Sequence, residues 1–361
     1  MAAQPLALFV LQLAVIALCA RLVARAGRPM LQPAVVGEMI AGILLGPSLL
    51  GRLWPGAFAA LFPRASLHWL ALAGQAGLMI HMLGVGIETR GEVFRRQARG
   101  AAAVSLAGLL APFVLGALLA AALHGDAFLF GPGVGRPAAC LFLGAAMSIT
   151  AFPVLARIIQ DRGLTGSPLG TLVLSAGALD DIAAWVVVSG LVWTFKAEAT
   201  LLLSVAFVLG LALPRGGLVD RARARVEPLS SRWLLPVYFV CSGLNTSLGL
   251  LDSPRLWGTF ALIVAAASLG KGGACWLAAR AAGRPRDEAA AIGALMNARG
   301  LMELVILNLG LAHGLITPTL FTMMALMAVA TTFAASPMYE WSRRLAPAKA
   351  PGNPGPSAAR I

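Results

Sequence analysis

Two adjacent carboxylates, Asp180 and Asp181, stand in the stretch LSAGALDDIAAWV (Leu174 to Val186), near the middle of an apolar run over about 168–195. As a helix, such a run crosses the roughly 30 Å hydrocarbon core of a bilayer. An ionised carboxylate there is costly, and two in succession are not explained by packing; intramembrane acids mark ion pathways, proton relays or substrate sites. Adjacent helical residues point about 100° apart, so one carboxylate can face a partner helix while the other faces a cavity. A cationic partner is also legible: Lys271, within SLGKGGACW, is the one lysine inside an apolar segment. Counted from the helix ends set out below, Asp180 and Lys271 both lie about 15–18 Å deep at 1.5 Å per residue. Opposite charges at matching depth are expected to pair, since each alone would be driven neutral.

Other polar residues flank this pair. The segment GAAMSITAFPVLARIIQD carries Ser148, Thr150 and Pro153 at mid-membrane depth. Proline removes a backbone donor and clashes with the preceding turn, which reads either as a plain kink or as a broken helix with freed carbonyls. Irregular backbone at that depth is tolerated where it is buried or lines a water-filled cavity. Freed carbonyls with the Thr150 hydroxyl would be hard oxygen ligands, suited to a small alkali cation. The segment ALMNARGLMELVILN places Asn297, Arg299 and Gly300 at similar depth and reads as a second broken helix. Arg299 and Glu303 are spaced i,i+4, so they are either a local structural pair or part of the site. Glu38, in QPAVVGEMIAGILLGPSLLG, is likewise either a structural acid near the helix end or a supporting site residue; Gly37, Gly42 and Gly46 there suit close helix packing in lipid.

The elements that must position these groups follow from composition. The 361 residues are 59% hydrophobic and 12% charged, with a mean hydropathy of +0.83. That balance predicts an all-α polytopic membrane protein. About 11 membrane helices are expected, at about 5–25, 31–50, 67–87, 100–123, 137–160, 168–195, 200–214, 233–250, 256–281, 288–312 and 316–340. The first carries no positive residue ahead of it and reads as a membrane helix, not a cleaved signal. The net charge of +13 invites a nucleic-acid reading, but the arginines and lysines cluster at alternate helix ends. The opposite ends hold only Arg52, Arg64, Arg136, Lys196 and Arg255. This is the positive-inside signal, which sets the N-terminus outside and the C-terminus in the cytoplasm; the plasma membrane is the expected location. No nucleic-acid partner is expected. Cys19, Cys140, Cys241 and Cys275 have no paired spacing and read as core residues. The Pro/Gly-rich tail 346–361 is expected to be disordered. No cofactor, metal centre or catalytic nucleophile is visible.

A weak repeat divides residues 1–345 into halves of about 5–195 and 200–340. Gly86-Ile87-Glu88-Thr89 resembles Gly243-Leu244-Asn245-Thr246, and AGILLGP resembles LGLALP. By the charge count the third and eighth helices run in opposite directions. Inverted halves, broken helices and a midplane charged site are the pattern of secondary transporters.

Together the stretches QPAVVGEMIAGILLGP, SITAFPVLARI, GALDDIAAW, LLPVYFVCSGLNT, LGKGGACW and MNARGLMELVILNLG resemble the monovalent cation:proton antiporter-2 family of sodium/hydrogen exchangers, in the family's order. The resemblance implies an inverted-repeat fold with two broken helices crossing near the midplane, usually a homodimer in which a core domain moves against a dimer domain. It implies exchange of Na⁺ or K⁺ for protons, with Asp181 as the exchanging acid, Asp180 as the partner of Lys271, and Thr150 lining the site. The DD pair with lysine is associated in that family with electrogenic exchange. One departure stands out: only Lys196 to Val205 separates the DD helix from the stretch AFVLGLALPR, where the family carries two further helices. An inactive or non-transporting sensor on a shortened scaffold is therefore the alternative expectation. An intramembrane aspartyl protease is disfavoured because its carboxylates come from different helices, and a DDxxD diphosphate site because residue 184 is alanine.

Overall fold

The structure is a computed structural model that describes residues 3–30, 32–88, 98–195 and 216–344, with 202, 205–206, 208–210 and 212–213. The helix expected at about 200–214 lies largely outside the described residues, and the basic stretch 89–97 and the tail 346–361 lie wholly outside them. The described chain is nearly all helical. The first half contains α1 (Ala3–Gly27), α2 (Ala34–Leu45), α3 (Arg64–Glu88), α4 (Ala98–Leu123), α5 (Arg136–Ser148), α6 (Phe152–Asp161) and α7 (Pro168–Phe195). The second contains α8 (Gly217–Leu229), α9 (Leu235–Leu244), α10 (Pro254–Ser268), α11 (Ala274–Ala281), α12 (Arg286–Met296), α13 (Leu301–Ala312) and α14 (Pro318–Arg344). Eight segments among the described residues are long and apolar enough to cross a membrane, and α3 and α7 add helices of 25 and 28 residues.

Sequence explains many of the boundaries. Proline stands in the first turn of α5, α6, α9 and α10, where its fixed φ suits a helix start and its absent N–H is not needed. Pro153 thus starts α6 after a non-helical break at Ile149, Thr150 and Ala151, so the broken-helix reading holds over a plain kink. The eighth expected helix, 233–250, differs in its start. Helix begins at Gly217 and continues through a π-helical turn, Ser230–Leu234, two residues after Pro228. The arginines had marked this stretch as a loop outside the hydrocarbon. Ala, Arg, Leu and Glu favour helix there as well, so the helix outruns its apolar part.

Close glycine contacts fix the directions of the helices. A Cβ at Gly42 would stand 2.8 Å from the Phe239 carbonyl oxygen, and one at Gly37 2.5 Å from Ala24 Cα, so α2 lies directly on α9 and α1. Further along, Ser48 Oγ donates to Thr246 O at 2.8 Å and accepts from Leu248 N at 3.0 Å. These contacts advance together, so α2 and α9 run parallel. In contrast Gly74 lies against Tyr238, and Ser230 Oγ donates to Gly77 O at 2.7 Å, so α3 and α9 run antiparallel. Both results agree with the directions read from charge. The broken helices sit at the centre: 94% of the apolar window in Arg286–Ala312 is buried, against 22% for Leu6–Gly27. Outer faces such as Leu6, Val10, Leu18 and Leu22 of α1 stay apolar and exposed, as hydrocarbon contact requires.

Candidate ion site at the helix crossing

The two broken helices meet where their helical hydrogen bonding lapses. α5 ends at Ser148 and α6 begins at Phe152; α12 ends at Met296 and α13 begins at Leu301. Ala151 N donates to Ala298 O at 3.2 Å, pinning one break to the other. Gly300 fits the crossing because a Cβ there would already press Val154 Cγ2 at 3.3 Å. The Thr332 hydroxyl on α14 accepts from Arg299 N and donates to Arg299 O, each at 2.8 Å, so it supplies partners that the broken helix lacks. Each crossing strand presents a helix C-terminus and a helix N-terminus, with opposite partial charges, to the same small volume.

Asp180 and Lys271 pair as expected, at 3.2 Å, with both side chains fully buried. Lys271 stands in a π-helical turn, Leu269–Gly273, between α10 and α11. Its ammonium also donates to Gly108 O at 3.0 Å and to Ser148 O, so all three of its donors are used. Asp180 accepts from Ser105 Oγ at 2.6 Å and from Thr150 Oγ1. Thr150 lies in the non-helical break between α5 and α6, and its hydroxyl donates across to Asp180 and not back to a carbonyl of its own helix. A buried ion pair is tolerable when its remaining lone pairs and protons are satisfied in this way.

Asp181 is in the opposite condition. It is 2% exposed, yet neither carboxylate oxygen accepts a hydrogen bond among the described residues. The same holds for Asn297 Oδ1 and both Glu303 oxygens. Arg299 approaches Glu303 at 3.7 Å, outside hydrogen-bonding reach, and Arg299 Nη2 reaches Ala267 O at 3.5 Å.

The structure therefore brings Thr150, Asp180 and Lys271 into one network. Ser148 joins through its backbone carbonyl, while its hydroxyl turns back to Ala145 O at 2.9 Å. Asn297, Arg299 and Glu303 are buried at the second break. Glu38 lies elsewhere, half-buried in a cavity with arginines. Two contributors are not among the residues singled out from the sequence: Ser105 and the Gly108 carbonyl, both in the apolar run 100–123 on α4. The available signal was that Ser105 is the one hydroxyl in that run. Thr332 had no distinguishing signal within α14.

A model of the sodium/hydrogen exchanger transmembrane family matches residues 13–203 and 197–341. The chain belongs to the sodium/hydrogen exchanger family. It is 37% identical to the Synechocystis Na(+)/H(+) antiporter NhaS4 over 376 aligned positions, covering 85% of this chain and 90% of that protein. It is 31% identical to Arabidopsis thaliana cation/H(+) antiporter 17, covering 92% of this chain and 48% of that one; the exchanger chain thus spans about half of this plant relative. In fold it resembles the sodium proton antiporter MjNhaP1 of Methanocaldococcus jannaschii, with a TM-score of 0.61 at 15% identity over 94% of this chain and 99% of that one. The two blocks of the exchanger family match meet at 197–203, where the sequence leads one to expect two absent helices.

Proposed function

We propose that this chain exchanges a monovalent cation, Na⁺ or K⁺, for protons across the membrane, and that cation and proton compete for Asp181. The observation that carries the reading is the contrast between neighbours on one helix. Asp180 is saturated by Lys271, Thr150 and Ser105, whereas both Asp181 oxygens are buried and accept nothing among the described residues. A buried carboxylate in that state needs a proton or a cation, and which it takes depends on the side to which it is open. Alternating access then follows from movement of the crossing helices against α1, α2 and α9. Relatives whose names specify Na⁺/H⁺ and K⁺/H⁺ antiport support the reaction type. A homodimer in the plasma membrane, with the N-terminus outside and the C-terminus cytoplasmic, completes this reading. Asn297, Arg299 and Glu303 act as supporting groups at the second break.

Dye-reported pH dequenching tests the proposal in proteoliposomes holding the purified chain and an imposed proton gradient, with Na⁺, Li⁺ and K⁺ added in turn. Exchange is expected for at least one ion and is lost in Asp181→Asn, which still purifies folded. Full exchange by Asp181→Asn overturns the assignment.

A second reading, a non-transporting binding protein on a shortened scaffold, is favoured by one observation. The Synechocystis alignment runs over 376 positions, more than the 361 residues of this chain, so that relative carries residues with no counterpart here. Cation binding by calorimetry without dequenching selects this reading.

A further inference from the structure

Away from the crossing, a cavity of about 660 Å³ opens between α1, the start of α2, the end of α6 and the π-helical turn before α9. Five arginines line it: Arg21, Arg25, Arg157, Arg162 and Arg232. They face two acids, Glu38 and Asp161. Asp161 is held by Arg157 at 3.1 Å, and the Arg21 guanidinium sits over the Trp233 ring at 4.7 Å. Arg25 and Arg232 have no ion pair among the described residues. A concave site with an excess of guanidinium groups repels the small cations that the crossing would take and attracts anions.

Two buried atoms define the chemistry more narrowly. Arg162 uses Nη1 on Glu340, but its Nη2 is buried with no acceptor among the described residues, on a side chain 7% exposed. Gln32 turns Nε2 to Phe333 O at 3.1 Å and Met30 O at 3.3 Å. That orientation fixes its Oε1 as an acceptor, and this atom too is buried with no donor among the described residues. Arg162 and Gln32 thus both stand in the cavity wall, and each keeps one polar atom buried just behind that wall without a partner among the described residues. Guanidinium forks match phosphate oxygens in charge and geometry, and the volume lies in the range of small-ligand sites.

We propose that this cavity binds a phosphate group bearing a neighbouring hydroxyl, with the exposed Arg25 and Arg232 on the phosphate oxygens and with Arg162 and Gln32 turning out of the cavity wall on binding, so that Arg162 Nη2 donates to the phosphate and Gln32 Oε1 accepts from the hydroxyl. The ligand ties α6, one half of a broken helix, to α1 and the start of α9. The phosphate comes from a lipid headgroup or from a soluble phosphate ester. The proposal does not depend on transport, and neither does its test.

The test is thermal unfolding of the purified full chain in detergent, titrated with dioleoylphosphatidylglycerol, with glycerol 3-phosphate, or with dioleoylphosphatidylcholine as the zwitterionic control. A ligand that binds only the folded state raises Tm in a concentration-dependent way. A rise with phosphatidylglycerol alone supports the site with a lipid as its source; a rise with glycerol 3-phosphate supports it with a soluble one. In Arg25→Gln/Arg232→Gln, both changes lying on exposed side chains, apparent affinity is expected to fall by at least about tenfold, the worth of one strong charge-assisted hydrogen bond. Arg280→Gln/Arg286→Gln removes the same charge outside the cavity and is expected to retain the response. No rise with either anionic probe, or an equal rise in the cavity variant, overturns the proposal.

Discussion

The two broken helices meet in one place but differ in how their polar groups are treated. At the first break the ion pair is fully engaged: Lys271 gives its three protons to Gly108 O, Ser148 O and Asp180, and Asp180 also takes the Ser105 and Thr150 hydroxyls. At the second, Glu303 accepts no hydrogen bond, Asn297 Oδ1 accepts none, and the Arg299 guanidinium has one weak hydrogen bond at 3.5 Å and a 3.7 Å ion pair with Glu303 among the described residues. Both regions are equally buried, so exposure does not explain the contrast. The difference lies in neighbours. The first break is surrounded by α4, α7 and the π-helical turn, which offer hydroxyls, carbonyls and an ammonium. The second packs on α14, α7 and the glycine side of the same π-helical turn, with Gly293 against Gly272, and its one nearby hydroxyl, that of Thr332, is engaged by the Arg299 backbone. A satisfied network holds one geometry and an unsatisfied one leaves groups ready to respond. Asp181, bare beside saturated Asp180, belongs to the second kind.

The largest expected effect that tests this contrast is that of Lys271→Met. It strands the Asp180 charge in the interior and should cost about 3–5 kcal/mol, seen as early thermal unfolding in detergent; adding Asp180→Asn should recover part of the loss, and a double-mutant cycle measures the coupling. Unfolding at the wild-type temperature would remove the distinction between the breaks. Next comes Thr150→Val, which deletes a donor to a buried carboxylate and should cost about 1–2 kcal/mol by the same measurement. Asn297→Ala should cost less than about 1 kcal/mol, because its Oδ1 gives up no hydrogen bond; a loss matching that of Thr150→Val would show the second break to be as well satisfied as the first. The smallest net change is expected for Arg299→Met/Glu303→Leu together, within about 1 kcal/mol of wild type, since replacing a poorly hydrogen-bonded buried pair by apolar groups is commonly neutral. A large destabilisation there would mark that pair as structural.

Much of this was legible residue by residue. Asp180 and Lys271 announced themselves because a charge in hydrocarbon has few explanations, and equal depth made them partners. Thr150 and Pro153 marked the first break, and Asn297 with Gly300 the second. Ser105 and Thr332 were not singled out, since one hydroxyl in a helix becomes a ligand only when another helix brings something to it. Gly108 was invisible for the same reason: any residue has a carbonyl, and packing decides which one an ammonium reaches. The basic stretch 217–229 misled in another way, because its charge reported distance from the hydrocarbon while its composition still favoured helix.

Period, hydropathy and charge therefore determined the membrane class, where most of the described helices run, and which acids and bases lie in apolar segments, because these follow from the cost of moving each residue out of water. Only the tertiary structure decided that Asp180 is saturated while Asp181 is bare, that Ser148 serves through its carbonyl, and that Glu38 belongs with arginines away from the crossing. Those outcomes depend on which helix faces which and at what rotation. That is set by close contacts such as Gly42 on Phe239 and Ala151 on Ala298, between residues far apart in the chain.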